Sequence, residues 1–135
     1  MVIDTNVFVY ALLRETEVHE EARLVFRARD EVIVPNSLKA ELVNVVWQWI
    51  RVRQLAFDLA ISVLGSTQRL IDREVATELL WERALQFAVQ ADHSPYDTLF
   101  AALAEREATR VVTYDERFRR AFPDLTISPA DFLAS

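Results

Sequence analysis

The sequence has no cysteine and only one glycine, Gly65, among its 135 residues. Without cysteine, the chain forms neither disulfide bonds nor thiolate metal sites. A single glycine cannot supply the glycine-rich loops of P-loop and dinucleotide-binding proteins, which excludes both of these classes. No apolar run approaches the length that crosses a bilayer, and no signal-type segment is recognisable, so we expect a cytoplasmic protein.

Lysine is equally scarce, because Lys39 is the only one and arginine supplies the rest of the 15 basic residues. With 21 acidic residues the formal net charge is −6, which argues against a domain that holds nucleic acid by bulk charge alone. A phosphodiester can still be engaged through bound cations. Hydrophobic residues make up 52% of the chain, so we expect a partner or a second copy to cover part of the apolar surface.

Short apolar segments rich in β-branched residues alternate with amphipathic segments along the whole chain. They predict strands at residues 1–3, 31–34, 67–71, 110–113 and 125–127, with helices between them. Such alternation is typical of a parallel sheet covered on both faces. The sequence therefore predicts an α/β fold, a three-layer sandwich with about five parallel strands flanked by helices, in a single domain over residues 1–135.

Helix ends in the middle of the chain are predicted from capping and breaking residues. Asn36 or Ser37 is expected to cap a helix that follows the second strand. Gly65 is expected to end a helix over residues 55–64, because glycine commonly terminates helices. Residues 74–91 are expected to form one long helix.

Four acidic residues are predicted to meet at one edge of this sheet. Asp4 directly follows the first strand, and Asp115 follows the fourth. Asp97 lies in the first turn of a helix that Ser94 is expected to cap, and helices of a parallel sheet begin at the edge where strands end. Glu41 lies early in the helix after the second strand, near the same edge.

Each acid also has a simpler explanation. Asp4 and Asp115 suit helix N-caps, and Asp97 suits a first helical turn because the helix dipole stabilises a carboxylate there. Glu41 borders an apolar stripe, where a neighbouring Arg or Lys could pair with it. The functional interpretation therefore depends on the four carboxylates lying together.

Four carboxylates without matching cations repel one another strongly at neutral pH, and a hard divalent cation removes that repulsion. Mg²⁺ and Mn²⁺ prefer oxygen ligands and commonly bridge to substrate phosphates. The pattern therefore indicates a metal site able to activate water towards a phosphodiester. Asn6 and Thr113, beside Asp4 and Asp115, could orient water or carboxylates, or serve only local turns.

The four acids lie in VIDTNVFVYALL at 2–13, VPNSLKAELVNVVW at 34–47, SPYDTLFAALAE at 94–105 and VVTYDERF at 111–118. These segments resemble the four signature blocks of PIN domains, especially those of the toxin ribonucleases of the VapC family. Their order and spacing are also those of the family. Residues 54–93 match it only in general helical character. By motif, the acidic quartet of the family is matched by Asp4, Glu41, Asp97 and Asp115, and its accompanying polar residues by Asn6 and Thr113.

The resemblance implies Mg²⁺- or Mn²⁺-dependent endonucleolytic cleavage of RNA by a homodimer that a small VapB-like antitoxin inhibits. Asp4 and Asp97 are then expected to hold one metal ion, with Glu41 as a direct or water-mediated ligand. Asp115 is expected to complete the site or to recruit a second ion. Attack by metal-activated water, rather than by the 2′-hydroxyl, predicts products with a 5′-phosphate and a 3′-hydroxyl.

Contacts with RNA and with protein partners are also predicted. Arg14, Lys39, Arg51 and Arg53 lie close in sequence to the site-bearing segments and are candidate phosphate contacts, although surface solvation and ion pairing explain each of them as well. The tryptophan-bearing helices are candidates for the dimer contact. The antitoxin is expected to reach into the acidic site with basic residues.

Three other functions remain open from the sequence. A phosphatase of the haloacid dehalogenase type also begins with a strand ending in Asp, but it needs a second acid where Asn6 stands, and a late lysine. A phosphoacceptor receiver domain needs an acceptor Asp after the third strand and a late lysine, whereas Lys39 is the only lysine. A PIN-like interaction module without activity is the third alternative.

Overall fold

A computed structural model of the protein describes residues 1–13, 16–28 and 30–135. Within these residues, short strands alternate with helices. The strands are β1 (Val2–Ile3), β2 (Ile33–Pro35), β3 (Arg73–Val75), β4 (Val111–Val112) and β5 (Thr126–Ile127). The helices are α1 (Thr5–Leu12), α2 (His19–Phe26), α3 (Leu38–Arg53), α4 (Phe57–Leu70), α5 (Trp81–Ala91), α6 (Pro95–Arg106), α7 (Glu116–Ala121) and α8 (Pro129–Ala134), with a 3₁₀ turn at Thr77–Leu79.

All five strands run parallel, in the order β3-β2-β1-β4-β5. Val2 of the central strand β1 pairs with Ile33 on one side and with Val111 on the other. The chain builds the sheet outward from β1 through β2 to β3, and then adds β4 and β5 on the opposite side. The order therefore reverses between β1 and β4, which is where open α/β sheets form their sites.

Among the described helices, α6 has the longest uninterrupted run of buried residues. Every residue from Thr98 to Ala104 is buried, as its run of apolar residues predicts, and the helix contacts β1, β2 and β4. Helix α5 packs against α6, while α1 contacts α2, α3 and α4. The predicted three-layer α/β sandwich with a five-stranded parallel sheet is confirmed. None of the described helices combines the length and apolar character that a bilayer crossing requires.

The start of α6 forms as predicted, whereas the start of α3 does not. Ser94 Oγ accepts a hydrogen bond from the N–H of Tyr96 (3.3 Å). At α3, Ser37 stands in the N-cap position, but its side chain makes no capping hydrogen bond. Asn36 Oδ1 instead accepts from the N–H and the hydroxyl of Thr77, at 3.1 and 2.6 Å. The cap predicted for α3 is therefore replaced by a link to the 3₁₀ turn.

The prediction that Gly65 ends a helix is wrong, because α4 continues through it to Leu70. Ala60, Val63 and Thr67 lie on one buried face of this helix. Continuous burial of that face outweighs the roughly 1 kcal/mol that glycine costs in a helix interior. Tertiary packing therefore overrides the local helix-ending signal.

The third strand also differs from the prediction. Residues 67–70 belong to α4, and the strand lies at Arg73–Val75, where it overlaps the start of the segment predicted as one long helix. Asp72 Oδ2 accepts from the N–H of Val32 (2.8 Å), just before β3 pairs with β2. This strand is fixed by pairing with β2, a distant segment of the chain. The local hydrophobic pattern of its three residues is therefore too short to predict it.

Gly65 offers a test of the helix assignment. A methyl group added at its Cα would meet only the guanidinium of Arg69, at an ordinary 3.7 Å. Alanine loses less backbone entropy than glycine in a helix, so Gly65→Ala should raise the free energy of unfolding by about 0.5–1 kcal/mol in urea denaturation. A loss of stability would contradict a continuous α4, because alanine is disfavoured at a helix-ending position with left-handed backbone.

Candidate functional site

Two strand ends meet where the sheet order reverses. The N–H of Asp4, directly after β1, donates to the carbonyl of Val112 at the end of β4 (3.0 Å). Thr113 Oγ1 donates to Asp4 Oδ2 (2.6 Å), and the N–H of Thr5 donates to Asp4 Oδ1 (2.8 Å). Both carboxylate oxygens of Asp4 are therefore held by groups from the ends of β1 and β4.

The carboxyl of Asp4 is almost completely buried. Its pKa is raised to about 7, mainly because burial disfavours the charged form. The hydrogen bond from Thr113 lowers this pKa, whereas the charges of Asp97 and Asp115 raise it. The structure therefore brings these three acids close enough to repel one another.

Asp97 is held from outside its own helix by a buried histidine. His93 Nε2 lies 2.8 Å from Asp97 Oδ2, in the turn before α6. The imidazole stacks on Phe118 and meets Phe122 edge-on, with ring centroids 5.5 and 5.7 Å away. Burial raises the pKa of Asp97, and the hydrogen bond with His93 lowers it. Packing of the ring thus fixes the donor that orients this carboxylate.

Glu41 reaches the same group of acids from α3. Its pKa is raised to about 8, first by burial and then by the charges of Asp4 and Asp97. The hydroxyl of Thr5 lies against Glu41 and lowers this pKa. That buried hydroxyl makes no hydrogen bond of good geometry with the described residues, so it can still accept or donate one.

Asp115 and Asn6 complete the contacts around the strand ends. Asp115 caps α7 by accepting from an N–H in its first turn (3.0 Å), and its own N–H donates to Thr113 Oγ1 (3.0 Å). Asn6 Nδ2 lies 3.4 Å from Asp4 Oδ2, and Asn6 Oδ1 accepts from the N–H of Tyr114 (3.3 Å). Asp4 and Asp115 therefore serve as helix caps and also belong to the acidic group.

The chemistry of the four carboxylates suits a hard divalent cation. All four supply oxygen ligands. The negative charges of Asp4, Asp97 and Asp115 each raise the pKa of at least one other acid in the group. A bound cation relieves that repulsion, and oxygen ligands are those that Mg²⁺ and Mn²⁺ prefer. Among the described residues, no three acids or histidines stand close enough together in this structure to hold a metal ion between them.

The predicted phosphate contacts have other partners in the structure. Lys39 forms an ion pair with Glu74 at 3.0 Å. The guanidinium groups of Arg51 and Arg53 lie over the tryptophan rings four residues before them on α3, at 4.6 and 4.5 Å. Arg14 lies outside the described residues. A role of these side chains in RNA binding stays a prediction.

Three residues near the acids were missed by the sequence analysis. His93 stands four residues before Asp97, and this spacing is the one signal in the sequence that could have suggested it. Thr5 directly follows Asp4 in the sequence, so the position of its hydroxyl near the acids could also have been predicted. The exposed guanidinium of Arg117 lowers the pKa of Asp97, which identifies a cation close to the acids.

The raised pKa of Asp4 predicts how its removal affects stability. The folded state holds a proton on Asp4 up to about pH 7, whereas the unfolded chain releases it near its ordinary pKa of 3.8. This group therefore lowers stability progressively as pH rises from about 4 to 7. In EDTA, Asp4→Asn should stabilise the protein by about 1–3 kcal/mol at pH 8 and have little effect near pH 3.5.

Urea denaturation at both pH values measures this difference. Asp124→Asn, which removes an exposed acid from a loop, serves as the control and should change stability by less than about 0.5 kcal/mol at either pH. A lower stability of Asp4→Asn at pH 8 would contradict this prediction. It would mean that the hydrogen bonds to the Asp4 carboxylate stabilise the folded state by more than burial and repulsion destabilise it.

Several solved structures share this fold. VapC20 of Mycobacterium tuberculosis, described as a sarcin-ricin loop cleaving toxin, is 19% identical, with 90% of this chain and 94% of that chain covered and a TM-score of 0.69. PAE2754 of Pyrobaculum aerophilum is 16% identical, with coverages of 98% and 85% and a TM-score of 0.76. VapBC2 of Rickettsia felis, solved with a fragment of promoter DNA, is 16% identical, with coverages of 94% and 96% and a TM-score of 0.64. At these identities the likeness shows the fold alone.

No curated protein sequence matches this one significantly. The family model of the PIN domain, in contrast, matches residues 1–122. This match spans both strand ends at the sheet reversal and all four carboxylates described above. The chain therefore belongs to the PIN domain family.

Proposed function

We propose that the protein is a Mg²⁺- or Mn²⁺-dependent endoribonuclease and the toxin of a toxin-antitoxin pair. The observation that carries the proposal is the group of mutually repelling, largely buried carboxylates at the strand ends of a PIN domain. The fold likeness to a toxin described as cleaving the sarcin-ricin loop supports RNA as the substrate.

In this proposal the acids form the cation site. Asp4 and Asp97 hold the ion, Glu41 contributes directly or through water, and Asp115 completes the site or recruits a second ion. A divalent cation bound there lowers the pKa of water and stabilises the negative charge that develops on a phosphodiester. Because Asp4 and Glu41 keep protons near neutral pH without a cation, its binding releases protons from them.

The polar groups around the acids act as positioning residues. Thr113 and Asn6 hold the carboxylate of Asp4, and His93 holds that of Asp97. Such outer contacts fix the orientation of metal ligands, and their loss commonly lowers metal affinity. With the acids fixed, water attacks the phosphorus in line, and the products carry a 5′-phosphate and a 3′-hydroxyl.

Cleavage of a mixed RNA pool tests the activity. We expect cutting with Mg²⁺ or Mn²⁺ that EDTA abolishes, and a decrease of at least about 100-fold in Asp97→Asn, because a cation ligand is lost. Gel analysis after phosphatase and ligase treatment identifies the end groups.

Asp124→Asn, which changes an exposed acid of a loop, is the matched control and should cut like the parent protein. Products with 2′,3′-cyclic phosphate ends would contradict attack by water. A folded, metal-loaded and partner-free sample that leaves every RNA intact would favour the interaction-module alternative.

We further propose that the protein is a homodimer in which α5 lies at the contact. Trp81, Leu85 and Val89 are spaced four residues apart on this helix, and all three are more than half exposed. A groove of about 600 Å³ continues this face towards Pro95 and Leu99 at the start of α6. A continuous exposed apolar face of this kind marks an association surface.

Light scattering at micromolar concentration tests the dimer. Leu85→Glu should yield a monomer, because a carboxylate buried between two copies is strongly disfavoured. Ile61→Glu, at a similarly exposed position of α4, should leave the mass unchanged. A parent protein that is already monomeric, or a dimer that tolerates Leu85→Glu, would rule out this contact.

A small antitoxin is the second proposed partner, and we infer that its basic residues enter the acidic site. Structures of this fold include one described as a toxin-antitoxin complex. Basic side chains of the antitoxin would pair with the ionised carboxylates of Asp4 and Glu41 and would lower their raised pKa values. This attraction favours binding of the antitoxin. Purification from the native host should recover a partner that blocks RNA cleavage; recovery of active protein without any partner would contradict this.

A further inference from the structure

A second concave surface opens directly beside the acids. It is a groove of about 340 Å³ lined by Ala40, Glu41 and Asn44 of α3 and by Tyr96 of α6. Its volume lies in the range of small-ligand sites, about 300–1,000 Å³. Glu41 belongs both to this groove and to the acidic group, so a molecule in the groove would be adjacent to the proposed cation site.

Tyr96 forms an exposed aromatic wall of the groove. Its side chain is 68% exposed, although it immediately precedes the half-buried Asp97. The N–H of Tyr96 donates to Ser94 Oγ at the helix cap, so the backbone that carries the ring is fixed. An aromatic ring held in solvent on a fixed backbone is a preformed stacking surface.

The charge of the protein itself does not favour RNA at this groove. The protein carries a formal net charge of −6, and the groove itself contains the carboxylate of Glu41. Lys39, the residue next to Ala40, is paired with Glu74. Contacts that do not depend on charge, such as base stacking on an aromatic ring, are therefore the favoured source of binding energy.

We propose that this groove binds one unpaired nucleobase of the RNA, next to the phosphodiester at the acids. Tyr96 stacks on the base, and the exposed side-chain amide of Asn44 hydrogen-bonds its edge. Single-stranded RNA is commonly recognised by such stacking combined with hydrogen bonds to base edges. The inference rests on the proposed ribonuclease function, and it names the part of the substrate that determines where the chain is cut.

A binding measurement separates this inference from catalysis. In the Asp97→Asn background, fluorescence anisotropy with a fluorescein-labelled random hexaribonucleotide reports affinity without cleavage. Tyr96→Leu should weaken binding about tenfold, because stacking on one base is lost, whereas Tyr96→Phe should stay within about twofold. Phe57→Leu is the matched control, since Phe57 on α4 is equally exposed, at 68%, and does not line the groove.

An abasic scan identifies the base that occupies the groove. One abasic nucleotide is placed at each position of a hexaribonucleotide of fixed sequence in turn. At one position the substitution should weaken binding about tenfold when Tyr96 is present and much less in Tyr96→Leu. Asn44→Leu should alter which base is preferred at that same position.

Three results would overturn the inference. Binding that is unchanged in Tyr96→Leu excludes stacking, and abasic penalties that are equal in both proteins exclude a base at this ring. Conversion of a dimer to a monomer by Tyr96→Leu, seen by light scattering, would assign the groove to an interface between copies. Loss of binding in Tyr96→Leu supports the inference even if the parent protein cuts no RNA, so a failure of the proposed activity is recognised separately.

Discussion

The structure depends on one costly arrangement, the burial of like-charged carboxylates at the carboxyl ends of β1 and β4. Burial and repulsion raise the pKa of Asp4 to about 7 and that of Glu41 to about 8. Ionising such groups in the folded state lowers stability at neutral pH. Domains of this size have only about 5–15 kcal/mol of stability, so this cost is a substantial part of it. The buried hydrophobic core around the strand ends offsets the cost. A cation that binds only the folded state adds to that stability.

Polar side chains from distant segments hold these acids in place. Thr113, at the end of β4, binds Asp4 after β1, and His93, before α6, binds Asp97. Strand pairing and aromatic packing fix these donors before any ligand arrives. Because these donors are already in place, less ordering of the carboxylates remains when a cation binds at the proposed site. This is the physical advantage of building the site on strand ends and helix starts rather than on long loops.

Away from the acids, the surface offers apolar and aromatic side chains, which bind partners without relying on charge. Trp81, Leu85 and Val89 expose an apolar face on α5, and Tyr96 exposes an aromatic ring beside the site. A chain of net charge −6 repels the phosphate backbone at long range, which favours stacking and the proposed cation site as sources of affinity for RNA. The high hydrophobic content of the chain is consistent with these contacts, because part of it remains on the surface.

The sequence by itself determined the fold class and the proximity of Asp4 and Asp97, because strand-helix alternation and acids at strand ends and helix starts are local patterns. It did not reveal the strand at residues 73–75 or the helical conformation of Gly65, since pairing with β2 and burial of α4 outweigh local preference there. It also missed His93, whose contact with Asp97 is fixed by aromatic rings far along the chain. Only the tertiary structure decided the hydrogen-bond partners and pKa values, because desolvation depends on every group that surrounds a carboxylate.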